Sequence, residues 1–301
     1  MAKILVAGLI NIETTARIDH FPVDYMSVRY PFFGVRTTVS GVGFNVAKAL
    51  TLLGHEVRFL AMIGQDEAAT FVRHALKQNG IAQDFVLSQL PETPQSVILY
   101  DGDGRRMINV DLKDIQETTY PFATYEQAIA GVDLAVLCNI NFSRPLLAAT
   151  RERGIPIATD VHTIDSLTDA YNRDYMSAAN ILLMSDERLP SPPIEWAQTV
   201  QQTFDNDIVA IGMGARGVAL KLPDKPVQMF PAQQVRPVVN TIGAGDALFS
   251  SFLHGYLTSG DAERSMQAAT LYAGHKIGES GAAKGLLDVA GFDRLVASHK
   301  A

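Results

Sequence analysis

The chain has 301 residues, 47% of them hydrophobic, with a formal net charge of −7 and a pI near 5.5. That length and apolar content suit one compact α/β domain with an appendage and a sizeable core. The acidic balance argues against a general binder of nucleic acid or anionic membrane, since both need clustered Lys and Arg.

Cys138 is the only cysteine, so neither an intrachain disulfide nor a Cys-based metal cluster can form, which suits a reducing cytoplasm. The apolar run Ile4–Ile10 is broken by Asn11 and Glu13, too soon for the core of a signal peptide. No run approaches the ~20 residues of a membrane span.

Ile4–Ala7 reads as a fully buried strand, and Gly8–Glu13 carries the chain off its C-terminal end, the edge where open α/β sheets bind ligands. Residues 17–40 show no helical period. They hold Phe21, Tyr25, Tyr30, Phe32, Phe33 and prolines 22 and 31, and are expected to form a loop-and-strand flap covering a ligand pocket. Ser40-Gly41-Val42-Gly43-Phe44-Asn45 opens a helix with Val46, Ala49, Leu50 and Leu53 on one face and a stop at Gly54. Its glycines mark a close backbone approach, and Asn45 puts a polar side chain in the first turn. Val46 stands where a dinucleotide fingerprint needs its third glycine, which argues against a nicotinamide cofactor.

Strand Val57–Ile63, the N-cap Asp66 and helix Glu67–Gln78 make a second βα unit. Asp101-Gly102-Asp103-Gly104, between Ser96–Tyr100 and Met107–Leu112, signals a hairpin that pairs with the flap or extends the sheet. Arg105 and Arg106 lie at its tip or return arm, as a solvated turn or as a contact to substrate.

From Val132 strands and helices alternate: strand 132–137, helix 144–152, strands 155–159 and 180–184, helix 194–204 and strand 207–211. Parallel strands joined by helices follow. Their ends carry Asn139, Asn141, Asp160, His162, Ser185 and Asp186 to the same edge as Asn11 and Glu13. His162 has no second histidine at ligand spacing and reads as a hydrogen-bonded structural residue. Gly212–Gly217 has the letters of a dinucleotide fingerprint but leads into another strand, Val218–Leu222, so it shapes a hairpin turn that can line a nucleotide.

Val235–Val239, broken by Pro237, reads as a short strand entering Asn240-Thr241-Ile242-Gly243-Ala244-Gly245-Asp246 and a helix to Leu257. A glycine-rich turn at a helix N-terminus is an anion site: unpartnered N–H groups point outward and the dipole favours negative charge. Asp246 beside it is a base acting on a nucleophile, the partner of a metal ion, or an acidic residue that the dipole favours. Helix 261–279, the turn Ser280–Ala283 and a helix from Leu287 to Ser298 close the chain.

Two glycine-rich helix starts at opposite ends of one α/β chain, the second reading Gly-Ala-Gly-Asp, resemble the ribokinase-like, or PfkB, carbohydrate kinase family. The likeness covers nearly the whole chain. It implies a single domain over residues 1–301 with a doubly wound, mostly parallel sheet flanked by helices and a small β lid made from residues 14–39 and 96–110. It further implies an ATP-dependent kinase that phosphorylates a primary hydroxyl of a ribose- or fructose-like sugar, with Asp246 as base and Gly243, Ala244 and Gly245 as the anion hole. ATP would border Gly214, Gly217, Thr241, Ala273, Ile277 and Gly281, and the sugar would meet Asn11, Glu13, Gly41, Gly43, Asn45 and Arg106.

A nucleoside whose base stacks on Phe21, Tyr30, Phe32 or Phe33 is the alternative substrate. A non-catalytic sugar- or nucleotide-binding regulator is the alternative class, against which the retained Asp246 speaks. Mg²⁺ would bridge phosphate oxygens. The family's Asn-x-x-Glu motif is replaced by Ser185-Asp186-Glu187-Arg188, with Asp186 or Glu187 as substitute metal ligands. Asn240 stands where relatives carry Asp beside a monovalent-cation site, which puts potassium activation in question. Glu13 is one methylene longer than the common Asp, so ribose is not assumed. A homodimer through exposed lid aromatics is a further expectation.

Overall fold

The computed structural model describes residues 1–299. In chain order it begins β1 (Lys3–Ala7), β2 (Asn11–Arg17), β3 (Val35–Ser40), α1 (Val42–Leu52), β4 (Glu56–Gly64), α2 (Glu67–Gln78) and β5 (Val86–Leu90). The middle is β6 (Gln95–Tyr100), β7 (Arg106–Asp111), α3 (Phe122–Ile129), β8 (Leu134–Leu137), α4 (Arg144–Glu152), β9 (Ile157–Thr163), α5 (Arg173–Ala178), β10 (Ile181–Ser185) and α6 (Pro193–Phe204). The last third is β11 (Ile208–Gly212), β12 (Val218–Lys221), β13 (Gln228–Phe230), α7 (Ala244–Ser259), α8 (Ala262–Lys276) and α9 (Val289–Ala297).

Nine strands form the main sheet in the order β13-β12-β11-β10-β9-β8-β1-β4-β5, parallel except where β12 and β13 turn back at one edge. Alternation along each strand splits the core between the two faces. Ile4 and Val6 of β1 pack with Phe44 of α1, Val72 of α2, Phe249 of α7 and Met266 of α8. Leu5 and Ala7 pack on the other side with Tyr125 of α3, Leu146 of α4, Tyr175 of α5 and Trp196 of α6. Strands covered on both faces must be apolar throughout, which is why LVA in β1, LAVL in β8 and IVAI in β11 carry no polar residue. α9 closes a satellite cluster in which Phe292 meets Leu53, Ala247 and Tyr272.

A second sheet of four strands, in the order β3-β2-β6-β7, contains the flap's arms and the hairpin. β2 joins the two sheets: it leaves the C-terminal end of β1 by Gly8–Ile10 and pairs parallel with β6, Glu13 lying opposite Ser96. Between β2 and β3 the chain is irregular, and Tyr25 and Phe33 are more than nine-tenths exposed. Tyr25, Tyr30, Phe32 and Phe33 thus face solvent in this conformation, while Phe21 is half-buried.

Three expectations need revision. Val235–Val239 is not a strand: Pro237 removes a donor, Val238 and Val239 are exposed, and the Val239 N–H donates instead to Ile277 O at 2.8 Å. The helix expected over 261–279 stops at Lys276, and the last helix starts two residues late, after the N-cap Asp288. α3, α5, β5 and β13 escape sequence reading because each is too short to show a period. No helix among the described residues is long and apolar enough to cross a membrane.

Candidate active site

The entry to α7 is shaped by its own sequence. Asn240 Oδ1 accepts from the Ile242 N–H at 3.1 Å, an Asx-turn, and Ala244 N donates to Thr241 O at 3.2 Å. Gly243 then takes a left-handed conformation with φ 77°, and a Cβ built on it would stand 2.6 Å from Ala282 O. Only glycine allows both the turn and the contact with the 280–283 loop. The first N–H to bond back into the helix is that of Ala247, to Gly243 O at 3.0 Å. Of the N–H groups ahead of it, those of Gly243, Gly245 and Asp246 have no partner among the described residues and can meet a ligand. Space in front of Gly245 is open, with no atom within 4 Å of a Cβ placed there.

Asp246 projects from this first turn toward the start of α1. Asn45 Nδ2 donates to its Oδ2 at 2.7 Å, and Asn45 is in turn packed on the buried Ser40 hydroxyl at 3.4 Å. Burial lifts the Asp246 carboxyl above its ordinary range, opposed by the Asn45 hydrogen bond and by the His162 charge; Asp160 adds to the rise. Glu13 on β2 faces the same space. Burial raises its pKa too, the Ser40 hydroxyl counters, and the Asp246 charge adds to the rise. Two carboxylates therefore lie within electrostatic reach of each other. Glu13 Oε1 and Asn11 Oδ1 are buried without a hydrogen-bond partner, although Asn11 Nδ2 is satisfied by Ser96 Oγ at 2.9 Å.

The chain matches the pfkB family carbohydrate kinase family over residues 1–288. It belongs to that family of carbohydrate kinases. The ATP-dependent ribose-1-phosphate kinase of Halopiger xanaduensis is 28% identical over 288 residues, 94% of each chain. A microbiome-derived acarbose kinase shares the fold at a TM-score of 0.87 and 22% identity, over 98% of this chain and 99% of its own. So does the nucleoside kinase of Burkholderia thailandensis in complex with inosine, at a TM-score of 0.80 and 17% identity over 99% of each chain. Members of the family are ATP-dependent phosphotransferases acting on sugar hydroxyls, and this carbohydrate kinase is one of them.

The structure brings some of the kinase's expected site residues together and leaves others apart. Asp246, Asn45, Glu13 and Asn11 converge, with Gly243–Gly245 beside them. Gly41 and Gly43 serve packing: Cβ atoms there would meet Leu9 O at 2.6 Å and Gly8 C at 2.5 Å, so the close approach is to the β1–β2 connection. Arg106, exposed on β7, reaches across from the small sheet and donates to Thr241 Oγ1 at 3.1 Å. Gly217 (φ 98°) shapes the β11–β12 turn against Phe230 O, with Gly214 in the same turn. Ile277 O accepts from both Val239 and Asn240 N–H groups, Gly281 O accepts from Lys276, and Ala273 packs on the α1–α7 side of the core. Asp186 is engaged by Arg216 of the β11–β12 turn and Glu187 is exposed; among the described residues neither bonds to the Asp246 cluster.

Several residues near the Asp246 cluster carry contacts that were not anticipated from sequence. His162, read as structural, ends β9 with a left-handed φ of 57°, its N–H donates to Asp160 Oδ1 at 2.8 Å, and its charge lowers the Asp246 pKa while that of Asp160 raises it. Arg36, Lys48 and Lys276 all hold the turn after α8: Arg36 Nη1 donates to Ser280 Oγ at 2.8 Å, Lys48 Nζ to Ala283 O at 2.7 Å, and Lys276 Nζ to Gly281 O at 2.8 Å. One signal was available for Lys276, which continues the buried stripe Met266, Ala269, Tyr272 at helical spacing.

Proposed function

We propose that this kinase transfers the γ-phosphoryl group of ATP to a primary hydroxyl of a small sugar bound between β2 and the start of α1. The observation that carries this reading is the Asp246 carboxylate, at an anion-binding helix start and fixed through Oδ2 by Asn45 at 2.7 Å. Oδ1 is left to accept a proton from the acceptor hydroxyl, and the raised pKa brings the carboxylate closer to the working range of a general base. Donors of the α7 first turn, with the positive end of its dipole, bind the oxygens of the transferred group. The open space at Gly245 and the tight glycine at 243 fit a phosphoryl group there. When bound, ATP supplies that group and Mg²⁺ neutralises its oxygens.

Asn11 Oδ1 and Glu13 Oε1, buried acceptors without donors, are suited to sugar hydroxyls, which provide donors. In this reading Mg²⁺ would arrive on the nucleotide phosphates; among the described residues no three His, Cys, Asp or Glu side chains form a cage for a metal ion. Asp160 is better placed than Asp186 to meet it, since Asp186 is paired with Arg216. The small sheet acts as a lid in this reading, with Arg106 as its contact to the nucleotide side. A nucleoside acceptor is the second reading. Tyr30 and Phe32, stacked at 6.4 Å and exposed, offer a surface for a base. A cytoplasmic location, where ATP and reduced thiols prevail, accords with the lone buried Cys138.

The test is ADP release with ATP and Mg²⁺ over a panel of pentoses, hexoses, sugar phosphates and nucleosides. Turnover on a sugar or sugar phosphate supports the leading reading, turnover on nucleosides alone selects the second, and no turnover on any acceptor overturns both.

A further inference from the structure

Lys276, the last residue of α8, is wholly buried. Its Nζ donates to two main-chain carbonyls, Gly281 O at 2.8 Å and Ile242 O at 3.2 Å, and among the described residues it forms no ion pair. The carbonyls belong to different loops. Ile242 lies in the turn that enters α7, and Gly281 in the turn that leaves α8. The two loops meet where Gly243 abuts the backbone of Ala282. The ammonium therefore sits behind the anion-binding turn and ties it to the loop it abuts.

Packing alone does not account for a lysine there. The position lies on an apolar stripe that Met or Leu would continue, and burying an ammonium without a counterion costs several kcal/mol. Burial pushes its pKa down to about 8; Asp246, Glu279 and Glu13 pull it back up and Arg236 pushes it further down. It is thus still charged at neutral pH.

Asn240 completes the picture. Family resemblance places Asp at this position, beside a monovalent-cation site. Here the side-chain oxygen of Asn240 is taken by the Ile242 N–H at 3.1 Å and bears no charge. Neutral carbonyl oxygens, the kind of ligand a potassium ion takes, are turned onto Lys276 Nζ instead. An ammonium and a potassium ion are close in size and equal in charge. These residues do not fit a diffusible cation in the same place.

We propose that the Lys276 ammonium is a built-in monovalent cation, bridging the Ile242 and Gly281 carbonyls, holding the anion-binding turn in shape and making turnover independent of potassium. Lys276 touches no reacting atom in this proposal and is a positioning residue. The proposal rests on the reading of Gly243–Asp246 as the phosphoryl site.

Turnover of the wild type is compared in potassium and in tetramethylammonium salts at equal ionic strength, and the expected rates agree within about twofold. Lys276→Met, similar in length but uncharged, is expected to lower kcat by about 100-fold while the sugar KM stays within about threefold. Lys276→Ala, which leaves room for an ion, is expected to regain part of kcat in ammonium or potassium, and its melting temperature to rise with either ion while that of the wild type does not. A purely structural lysine would show neither the ion rescue nor the split between kcat and KM. Wild-type turnover that collapses without potassium, or undiminished kcat in Lys276→Met, overturns the proposal. If neither variant folds, the wild-type salt comparison decides alone. A wild type inactive on every acceptor counts against the phosphoryl reading, and the melting data on Lys276→Ala then decide the role of Lys276.

Discussion

Asp246 owes its chemistry to its neighbours. A carboxylate at an exposed helix start would be stabilised by the dipole and fully ionised, a weak base of ordinary kind. Here burial raises its proton affinity, while Asn45, donating to Oδ2 at 2.7 Å, leaves Oδ1 without a partner among the described residues, as the proposed base requires. Replacing the carboxylate by an amide keeps a carbonyl oxygen for Asn45 and removes the base. Asp246→Asn is expected to lower kcat on the order of 10³-fold, with nucleotide affinity by titration calorimetry changed by no more than several-fold. Near-normal kcat would remove Asp246 from the role of base.

The two glycine-rich helix starts have the same sequence logic and different uses. At α1, Gly41 and Gly43 are filled by the backbone of Leu9 and Gly8, so they seat the helix against the β1–β2 connection, and Asn45 is the residue of this turn that bonds to Asp246. At α7 the two glycines divide the work. Gly243 is locked by φ 77° and by Ala282, whereas Gly245 has ordinary helical backbone and open space ahead of it. Gly243→Ala is therefore expected to cost about 1–2 kcal/mol of stability in denaturant titrations, with activity lost as the turn shifts. Gly245→Ala is expected to leave stability equal or slightly higher, since Ala favours helix, and to lower kcat/KM by at least about tenfold because its methyl occupies the ligand's approach. Equal loss of stability in both variants would contradict this division.

At the scale of the whole molecule, α7 is tied through His55 to the chain's N-terminus. His55 Nδ1 accepts from Ala2 N at 3.3 Å while its Nε2 meets His254 Nδ1 of α7 at 2.9 Å. Burial, the neighbouring His254 and the terminal amine push His55 down to about 4. A folded pKa below the unfolded value of about 6.5 means the unfolded chain binds the proton first. His55 thus contributes stability that is present above pH 6.5 and is lost as the pH falls toward 4. Glu13 and Asp246, whose pKa values are raised, act in the opposite sense, their unfavourable charge being relieved in acid. Denaturant midpoints measured from pH 7 to pH 4 are expected to fall less steeply for His55→Gln, which can still hydrogen-bond but does not titrate. An unchanged slope would rule His55 out as the acid-sensitive group.

What the sequence by itself determined follows from local rules. Apolar runs of strand length marked β1, β4, β8, β10 and β11, and glycine-rich starts marked α1 and α7, the second carrying the proposed anion site at Gly-Ala-Gly-Asp246, because periodicity and backbone freedom are written in consecutive residues. Strands 235–239 and the short elements α3, α5, β5 and β13 were misread or missed, since a few residues hold no period and the neighbouring strand or loop decides their conformation. The pairing of Asn45 with Asp246, 201 positions apart, could be read only once α1 and α7 lay side by side on one face of the sheet. The same holds for Lys276. On a helix in isolation it is a solvated lysine near a C-terminus; the tertiary structure alone closes water away from it and turns two loop carbonyls onto its charge.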